Sequence, residues 1–246
     1  MATGDLHKLG TLLSAGANRI YPTRPWNSMS TPDGATEPGN LLRHIPGITL
    51  GVGDTYDVSD LYKLRWIEVN LDNKKILISD RSLYSQTSWD ELSSQGLVFG
   101  KEITIDGNPY ILRIMTSDEW DRIIGDTAKL VGLPRALDTK KFYGNYNIFW
   151  NYLGIYSWVQ DSAGTSNRVI KGNWNNNNTE SATPNTRYPD FGWRPVLEVV
   201  ASAPSLSPKI NGVWRDYESG YTKINGAWRE IEEIHTKING IWRKSE

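Results

Sequence analysis

Residues 99–123 read FGKEITIDGNPYILRIMTSDEWDRI, and this stretch indicates how the chain folds locally. Two segments that alternate apolar and polar residues flank Asp106-Gly107, a dipeptide that favours a two-residue hairpin turn. Thr116 and Glu119 then form a capping box, which predicts a helix over 117–124. The stretch therefore predicts an antiparallel strand pair that leads directly into a short helix.

The preceding segment carries the same two signals. Residues 64–79, LRWIEVNLDNKKILIS, alternate around Asp72-Asn73 and predict a second hairpin. Ser88 and Glu91 form another capping box, which predicts a short helix over 89–94. Short hairpins with two short helices are typical of an α+β fold.

The ends of this body are expected to be irregular. Residues 1–60 are rich in Gly, Pro, Thr and Asn and show little periodicity, so we expect an irregular N-terminal attachment arm there. The body itself is assigned to 61–200. Its segment 175–190, NNNNTESATPNTRYPD, is too polar for a core and too long for a tight turn, so we expect a surface loop.

The C-terminal residues 209–246 are a repeat. KINGVWR, KINGAWR and KINGIWR recur with a 14-residue period, and ASAPSLSP at 201–208 precedes them as a linker. Each Asn-Gly predicts a type I′ turn between two short strands. Because an isolated hairpin is marginally stable in water, the repeats must pack on one another or on a second chain. The residues expected at that oligomer interface are Trp214, Trp228 and Trp242.

Composition narrows the classes of function. The chain has 246 residues, 27 basic and 28 acidic side chains, and 38% apolar residues, which fits a folded chain and argues against a charge-driven nucleic-acid partner. No segment is long and apolar enough for membrane insertion, and the N-terminus lacks the pattern of a signal peptide.

The residues that usually carry catalysis are scarce. There is no cysteine, and His7, His44 and His235 have no partner at a recognisable spacing. Residues 51–53, GVG, lack the context of a nucleotide-binding loop. We therefore expect no catalytic site, no metal and no cofactor.

Four motifs in 112–198 resemble the formylglycine-generating enzyme (sulfatase-modifying factor) family. LRIMTSDEWDRI is similar to its R-L-P-T-x-x-E-W-E segment, YSWVQD to W-E-W-V-x-D, RVIKGNWNN to R-V-x-R-G-G-S-W, and FGWRPVLE to its closing G-F-R strand. The motifs occur in the family's order. The resemblance implies a variant C-type-lectin-like fold with short sheets, two short helices and much irregular backbone.

The chain differs from that family at the catalytic and calcium-binding positions. The family's activity rests on cysteines, which are absent here, and Ser157 stands at the position of a family calcium ligand, leaving Asp161 alone. The resemblance therefore implies the scaffold without the enzyme. The same scaffold carries the variable binding loops of phage receptor-binding proteins, between the G-x-W strand and the closing strand.

The resemblance and the residue types divide the body into frame and surface. Trp120, Trp158, Trp174 and Trp193 are expected to be buried frame residues, and Arg194 to bind backbone carbonyls. Asn side chains both donate and accept hydrogen bonds, and Tyr offers a rigid amphipathic ring, so polar loop residues suit a sugar or a protein patch. The expected ligand-binding residues are Asn175, Asn176, Asn177, Asn178, Arg187 and Tyr188.

These observations give two hypotheses of function. The first is a non-enzymatic phage virion protein, a tail or fibre adhesin made in the host cytoplasm, which displays a lectin-like surface to a host glycan or protein. The alternative is a structural virion component, a capsid decoration or tail protein, that bridges other virion proteins. An adhesin should expose 175–190, whereas a structural bridge should bury this loop against a neighbour. Both hypotheses include a homo-oligomer.

Overall fold

The chain divides into two compact units, Met1–Val200 and Ala201–Glu246. The computed structural model describes residues 4–22, 42–125, 150–152 and 154–200, and six strands between 209 and 244. In chain order, the first unit contains β1 (Leu6–Ser14), β2 (Ala17–Arg19), β3 (Leu50–Gly53), β4 (Lys63–Leu71), β5 (Lys74–Ser79), β6 (Tyr84–Ser85), α1 (Trp89–Ser94), β7 (Lys101–Ile105), β8 (Asn108–Ile114), α2 (Ser117–Trp120) with a π-helical turn (Asp121–Gly125), β9 (Tyr156–Ser162), β10 (Arg168–Gly172), β11 (Thr179–Ala182), β12 (Phe191–Trp193) and β13 (Pro195–Val199).

Two sheets organise the first unit. The large sheet has the order β2-β1-β4-β5-β13-β8-β7, with β3 also paired to β1, and the small sheet has the order β11-β10-β9-β12-β6. Described residues are mainly β with two short α-helices, so the α+β class holds in its broad form. Among them, no helix is long and apolar enough to cross a membrane.

The large sheet is curled, and β3 and β7 approach each other at its two ends. Side chains connect the approaching ends. Asp54 Oδ1 accepts the Asp106 backbone N–H at 2.7 Å, and Asp106 Oδ1 accepts the Thr55 backbone N–H at 2.9 Å. These bonds satisfy backbone donors that the sheet ladders do not use.

Both predicted hairpins of the body are confirmed. The turn residues Asp72 and Asn73 have φ of 51° and 64°, and Asp106 and Gly107 have φ of 50° and 78°. Positive φ at both turn positions is the requirement of a type I′ turn. The turns join β4 to β5 and β7 to β8 in antiparallel register.

Both capping boxes are also confirmed. The Ser88 hydroxyl accepts the Glu91 N–H, and the Glu91 carboxylate accepts the Ser88 N–H, at the start of α1. Thr116 and Glu119 do the same at the start of α2. The second helix differs from its prediction, because the α-helical geometry ends at Trp120 and the chain continues as the π-helical turn.

The prediction of an irregular arm over 1–60 is wrong for residues 6–14, 17–19 and 50–53, which form strands, whereas 42–49 and 54–60 lie outside the named strands. Residues 6–14 form β1, which pairs with β2, β3 and β4, and Leu12 is fully buried. The strand lacks clear alternation because its register with β4 shifts between Lys8 and Thr11, around Gly10 at φ 71°. A β-bulge at a left-handed glycine reverses which side chains face inward. Residues 23–41 lie outside the described residues.

The large sheet separates two apolar cores. Leu77 and Leu197 belong to one core, together with the small-sheet residue Trp158. Their strand neighbours Ile78 and Val196 belong to the other, together with the helical and loop tryptophans Trp120 and Trp150. Adjacent strand residues point to opposite faces, so both faces of this sheet are covered. This packing fixes the ends of β10 and β12, between which the candidate site lies.

The second unit contains three antiparallel hairpins with the same register. Their strands are β14 (Lys209–Ile210) with β15 (Val213–Trp214), β16 (Tyr221–Ile224) with β17 (Ala227–Glu230), and β18 (His235–Ile238) with β19 (Ile241–Lys244). Each pairs a lysine with a tryptophan, as Lys209 with Trp214, Lys223 with Trp228, and Lys237 with Trp242. The predicted hairpins are confirmed, whereas the Asn-Gly turn type and the linker 201–208 lie outside the described residues.

Candidate functional site

The polar segment after β10 is partly a strand. Residues 179–182 form β11 and pair with β10 in antiparallel register, so the prediction of a continuous surface loop over 175–190 is wrong for these four residues. β11 is the edge of the small sheet, where exposed polar residues such as Thr179 and Glu180 are typical. The remaining residues form a turn before β11 and a loop after it.

Asn176 does not belong to the exposed surface, in contrast to the prediction. Its side chain is buried, and its Nδ2 donates to the carbonyl oxygens of Ile124 and Gly125 at 3.3 and 2.7 Å. Its own carbonyl accepts the indole N–H of Trp120 at 2.8 Å. The carbonyls at the end of the helical turn need donors, and Asn176 supplies them. Asn176 therefore fastens the turn to the helix.

The other three asparagines have different roles. Asn175 is half-buried, and its Oδ1 accepts the backbone N–H of Asn177 at 2.9 Å, which forms an Asx turn. Asn178 is also half-buried, and its Nδ2 donates to the Gly172 carbonyl at 3.0 Å. Asn177 is exposed. The side chains of Asn175 and Asn178 are therefore used mainly to hold the turn.

Trp174, which we predicted to be buried, is 50% exposed. Two consecutive residues with positive φ, Gly172 at 94° and Asn173 at 71°, turn the backbone outward before it. A Cβ at Gly172 would lie 3.2 Å from the Trp120 ring, so a close approach as well as the φ requires glycine. Asn173 donates from Nδ2 to Asp190 Oδ2 at 3.1 Å and holds the turn.

An aromatic strip runs across this site, formed by Trp174, Tyr156, Phe191 and Tyr188. The Trp174 indole hydrogen-bonds the Tyr156 hydroxyl. The Tyr156 and Phe191 rings meet edge to face at 5.7 Å between centroids, and the Phe191 and Tyr188 rings do so at 5.2 Å. Tyr156 and Phe191 are buried, whereas Tyr188 is 61% exposed. The strip thus has a buried centre and an exposed ring at each end.

Arg187 was predicted to be an exposed ligand-binding residue, but its guanidinium is bonded to other parts of the protein. We call it the anchor of the loop after β11. It is half-buried, and its Nε lies 2.9 Å from Glu91 Oε2. Its Nη2 donates to the backbone carbonyl of His44 at 2.8 Å. The guanidinium therefore ties the loop after β11 to the start of α1 and to residues near β3. Tyr188 follows directly and is positioned by this anchor.

The buried His44 completes this anchor. Its Nε2 lies 3.7 Å from Glu91 Oε1, and its ring meets Tyr84 edge to face. Burial lowers the pKa of His44, and the neighbouring Arg187 acts in the same direction against the opposite effect of Glu91. The imidazole is consequently held in its neutral form at neutral pH.

Ser157 and Asp161, which stand at or near the position of the family's calcium ligand, are bonded to other groups of the protein. Ser157 Oγ accepts from Arg194 Nε at 3.3 Å and lies 3.2 Å from Ser82 Oγ. Asp161 Oδ2 accepts the backbone N–H of Ser117 at 2.6 Å, at the start of α2. In the described ranges, no three His, Asp or Glu side chains converge as a metal site would require. These donors do not fit a calcium ion.

The buried frame otherwise agrees with its prediction. Trp120, Trp158 and Trp193 are fully buried, and Arg194 donates to the carbonyl oxygens of Ser79 and Asn151, both at 3.1 Å. Burial lowers the pKa of Arg194 to about 9, so its guanidinium remains charged at neutral pH.

No protein family, curated protein or solved structure matches this chain. The exposure of Trp174 and the contribution of His44 were not predicted from the sequence. The signal for Trp174 was present in its neighbours, because Gly172 and Asn173 are residues that tolerate the left-handed turn. His44 carries no local signal, since its partners are 47 and 143 positions away in the sequence.

Proposed function

We propose that the chain is a non-enzymatic virion protein of a tailed phage, whose lectin-like body attaches the particle to the host envelope through the aromatic strip. The observation that carries this proposal is that three buried or half-buried side chains hold the turns on which the exposed rings of Trp174 and Tyr188 lie. Asn173, Asn176 and Arg187 each bond distant segments and thereby fix the turns that present Trp174 and Tyr188.

Single exposed apolar residues are ordinary on protein surfaces. The two rings here differ because a preorganised loop holds them, and a loop held before binding loses little conformational entropy when it binds. The resemblance supports the same surface, since Trp174 belongs to the segment similar to the family's G-x-W motif, Phe191 to the segment similar to its closing strand, and Tyr188 lies between them. The departures from the family at its cysteines and calcium position favour a binding role over an enzymatic one.

The test is attachment of the purified, fluorescently labelled chain to cell envelopes from a panel of bacteria. We expect one or more envelopes to bind the chain and Tyr188→Ala to lower that binding at least tenfold, as for a residue that dominates a contact by about 2 kcal/mol. Thermal stability should change by less than about 0.5 kcal/mol, because the replaced ring is mostly exposed.

Phe99→Ala is the matched control. Phe99 is 66% exposed and meets the buried Trp89 ring edge to face at 5.8 Å, which repeats the packing of Tyr188 on Phe191. Attachment should be unchanged in this variant. Failure of every envelope to bind the chain, or equal losses in the two variants, would contradict the proposal and favour the structural component that bridges virion subunits.

A further inference from the structure

We infer that the aromatic strip binds a neutral oligosaccharide, without a metal ion, by stacking sugar rings on Trp174 and Tyr188. The inference rests on the proposed function and names the ligand class of the same site. A sugar ring has a face of C–H groups and an edge of hydroxyl groups. An exposed indole or phenol beside amide groups matches both, because the ring covers the C–H face and the amides bond the hydroxyls.

The polar groups around the strip favour a neutral ligand. Two amides lie beside the strip: Asn178 Nδ2 is 3.4 Å from the Tyr156 hydroxyl, and Asn173 Nδ2 donates to Asp190 Oδ2 at 3.1 Å. Both donate and accept hydrogen bonds without carrying charge. Such groups can form hydrogen bonds with the hydroxyl groups of a sugar, whereas they carry no charge that would balance an ionic ligand.

The charges near the strip argue against an anionic ligand. Lys171 Nζ is held by Asp121 at 2.9 and 3.0 Å and by Thr179 Oγ1 at 2.8 Å, and Arg187 is paired with Glu91. Two carboxylates, Glu180 and Asp190, lie close to the strip. An acidic sugar or a phosphate would meet these carboxylates, and Lys171 and Arg187 are each already paired with a carboxylate.

The arrangement of the exposed rings indicates more than one sugar unit. Trp174 contacts Tyr156 and Tyr188 contacts Phe191, so the two exposed rings are joined through the buried Tyr156–Phe191 pair, and we expect a separate sugar unit to stack on each. Metal independence follows from the donors, since Ser157 and Asp161 are bonded inside the protein. The strip therefore fits a linear neutral oligosaccharide that contacts its two ends.

The experiment titrates the full chain with neutral tetra- to hexasaccharides, hydrolysed from the envelope that the chain attaches to, and measures binding by calorimetry. We expect binding that is unchanged by EDTA. Trp174→Ala and Tyr188→Ala should each weaken the affinity roughly tenfold or more, and Trp174→Phe should restore most of it because a stacking ring remains. Phe99→Ala is again the control, and thermal unfolding verifies that each variant is folded.

Treatment of the envelope separates this inference from the proposed function. Oxidation with periodate opens the vicinal diols of sugars and should abolish attachment, whereas protease should not. Attachment that survives periodate but not protease would mean a protein ligand, which would overturn the glycan inference and leave the attachment function intact. Oligosaccharide binding that is lost in EDTA, or that is equal in the wild type, Trp174→Ala and Tyr188→Ala, would also overturn it. No attachment to any envelope would defeat the proposed function itself.

Discussion

Arg194 has a structural role at the centre of the first unit. Its guanidinium bonds the Ser79 carbonyl at the end of β5, the Asn151 carbonyl and the Ser157 hydroxyl in β9, and lies 5.6 Å from the Trp120 ring centroid. One side chain thereby connects both sheets and the helical segment. Buried polar atoms are costly when unpaired, so these bonds help to satisfy oxygens that are removed from water.

We expect Arg194→Met to lower the free energy of unfolding by several kcal/mol, because each buried acceptor that loses its donor costs about 1–3 kcal/mol. Urea denaturation measures the change, and Arg122→Met is its control. Arg122 is bonded to two carboxylates, Asp72 and Asp118, near the solvent, so its loss should cost much less than the loss of Arg194. Equal losses in the two variants would mean that Arg194 is not the connection that the geometry indicates.

The buried His44 predicts a pH dependence of stability. Its pKa is lowered in the folded protein from 6.5, so below pH 6.5 the unfolded chain binds a proton that the folded chain does not. Stability from this group is therefore complete above pH 6.5 and falls as the pH decreases to the folded pKa. The slope for one group is at most about 1.4 kcal/mol per pH unit.

His44→Gln is the variant that isolates this effect, because glutamine keeps polar hydrogen-bonding atoms and does not titrate. We expect the free energy of unfolding of the wild type to decrease more steeply than that of the variant as the pH falls below 6.5. Chemical denaturation at a series of pH values measures both slopes. Equal slopes for the wild type and the variant would show that His44 does not contribute to the pH dependence of stability.

Turns and caps were the elements that the sequence predicted best. Asp72-Asn73, Asp106-Gly107 and the two capping boxes are signals in which a few adjacent residues satisfy one another. β1 was missed because its inward and outward positions exchange at Gly10, so that no single alternation spans the strand. Periodicity identifies a strand whose register is regular and fails where a bulge interrupts it.

The sequence predicted the region of the candidate site better than it predicted which residues of that region are exposed. Four consecutive asparagines, 175–178, look alike in the sequence, yet Asn176 is buried while Asn177 is exposed. What separates them is the carbonyl oxygens of Ile124 and Gly125, which are 51 or more positions away. Trp174 was assigned to the frame for its size, but the turn at Gly172 and Asn173 points it outward.

The hairpin turn between β7 and β8 gives a prediction at the scale of an element. A Cβ at Gly107 meets no atom within 4 Å, so Gly107→Ala introduces no clash, and its cost comes from the φ of 78° alone. We expect a loss of about 1–2 kcal/mol in the free energy of unfolding.

Gly51→Ala is the control for this prediction. Gly51 lies in β3, also has open space at its Cβ, and has no positive φ. The substitution should be neutral or should stabilise the protein by up to about 1 kcal/mol, since alanine has less backbone entropy to lose. Thermal or urea unfolding compares the two variants. A loss at Gly51 as large as at Gly107 would contradict the explanation by backbone conformation.

At the scale of the whole molecule, the proposed attachment and the predicted assembly fall on different units of the chain. The first unit contains both cores and the aromatic strip, and the second consists of three hairpins. A single binding strip of modest affinity benefits from being repeated, because linked copies bind a surface with much greater avidity than one copy. An adhesin built in this way requires an element that brings several chains together, and the repeats are the candidate for it.

The repeats therefore predict the oligomeric state of the chain. In the middle hairpin, Ile224 pairs with Ala227 across Asn225-Gly226, a two-residue connection that requires positive φ. Because two-stranded hairpins are marginal alone, we expect the three to be stable through association with other chains. A chain ending before Ala203 should have a lower mass in light scattering than the full chain, and Gly226→Val should shift the full chain toward that lower mass. Thermal unfolding of the first unit is the control and should not change. An equal number of chains per particle with and without residues 203–246 would show that the repeats do not drive assembly.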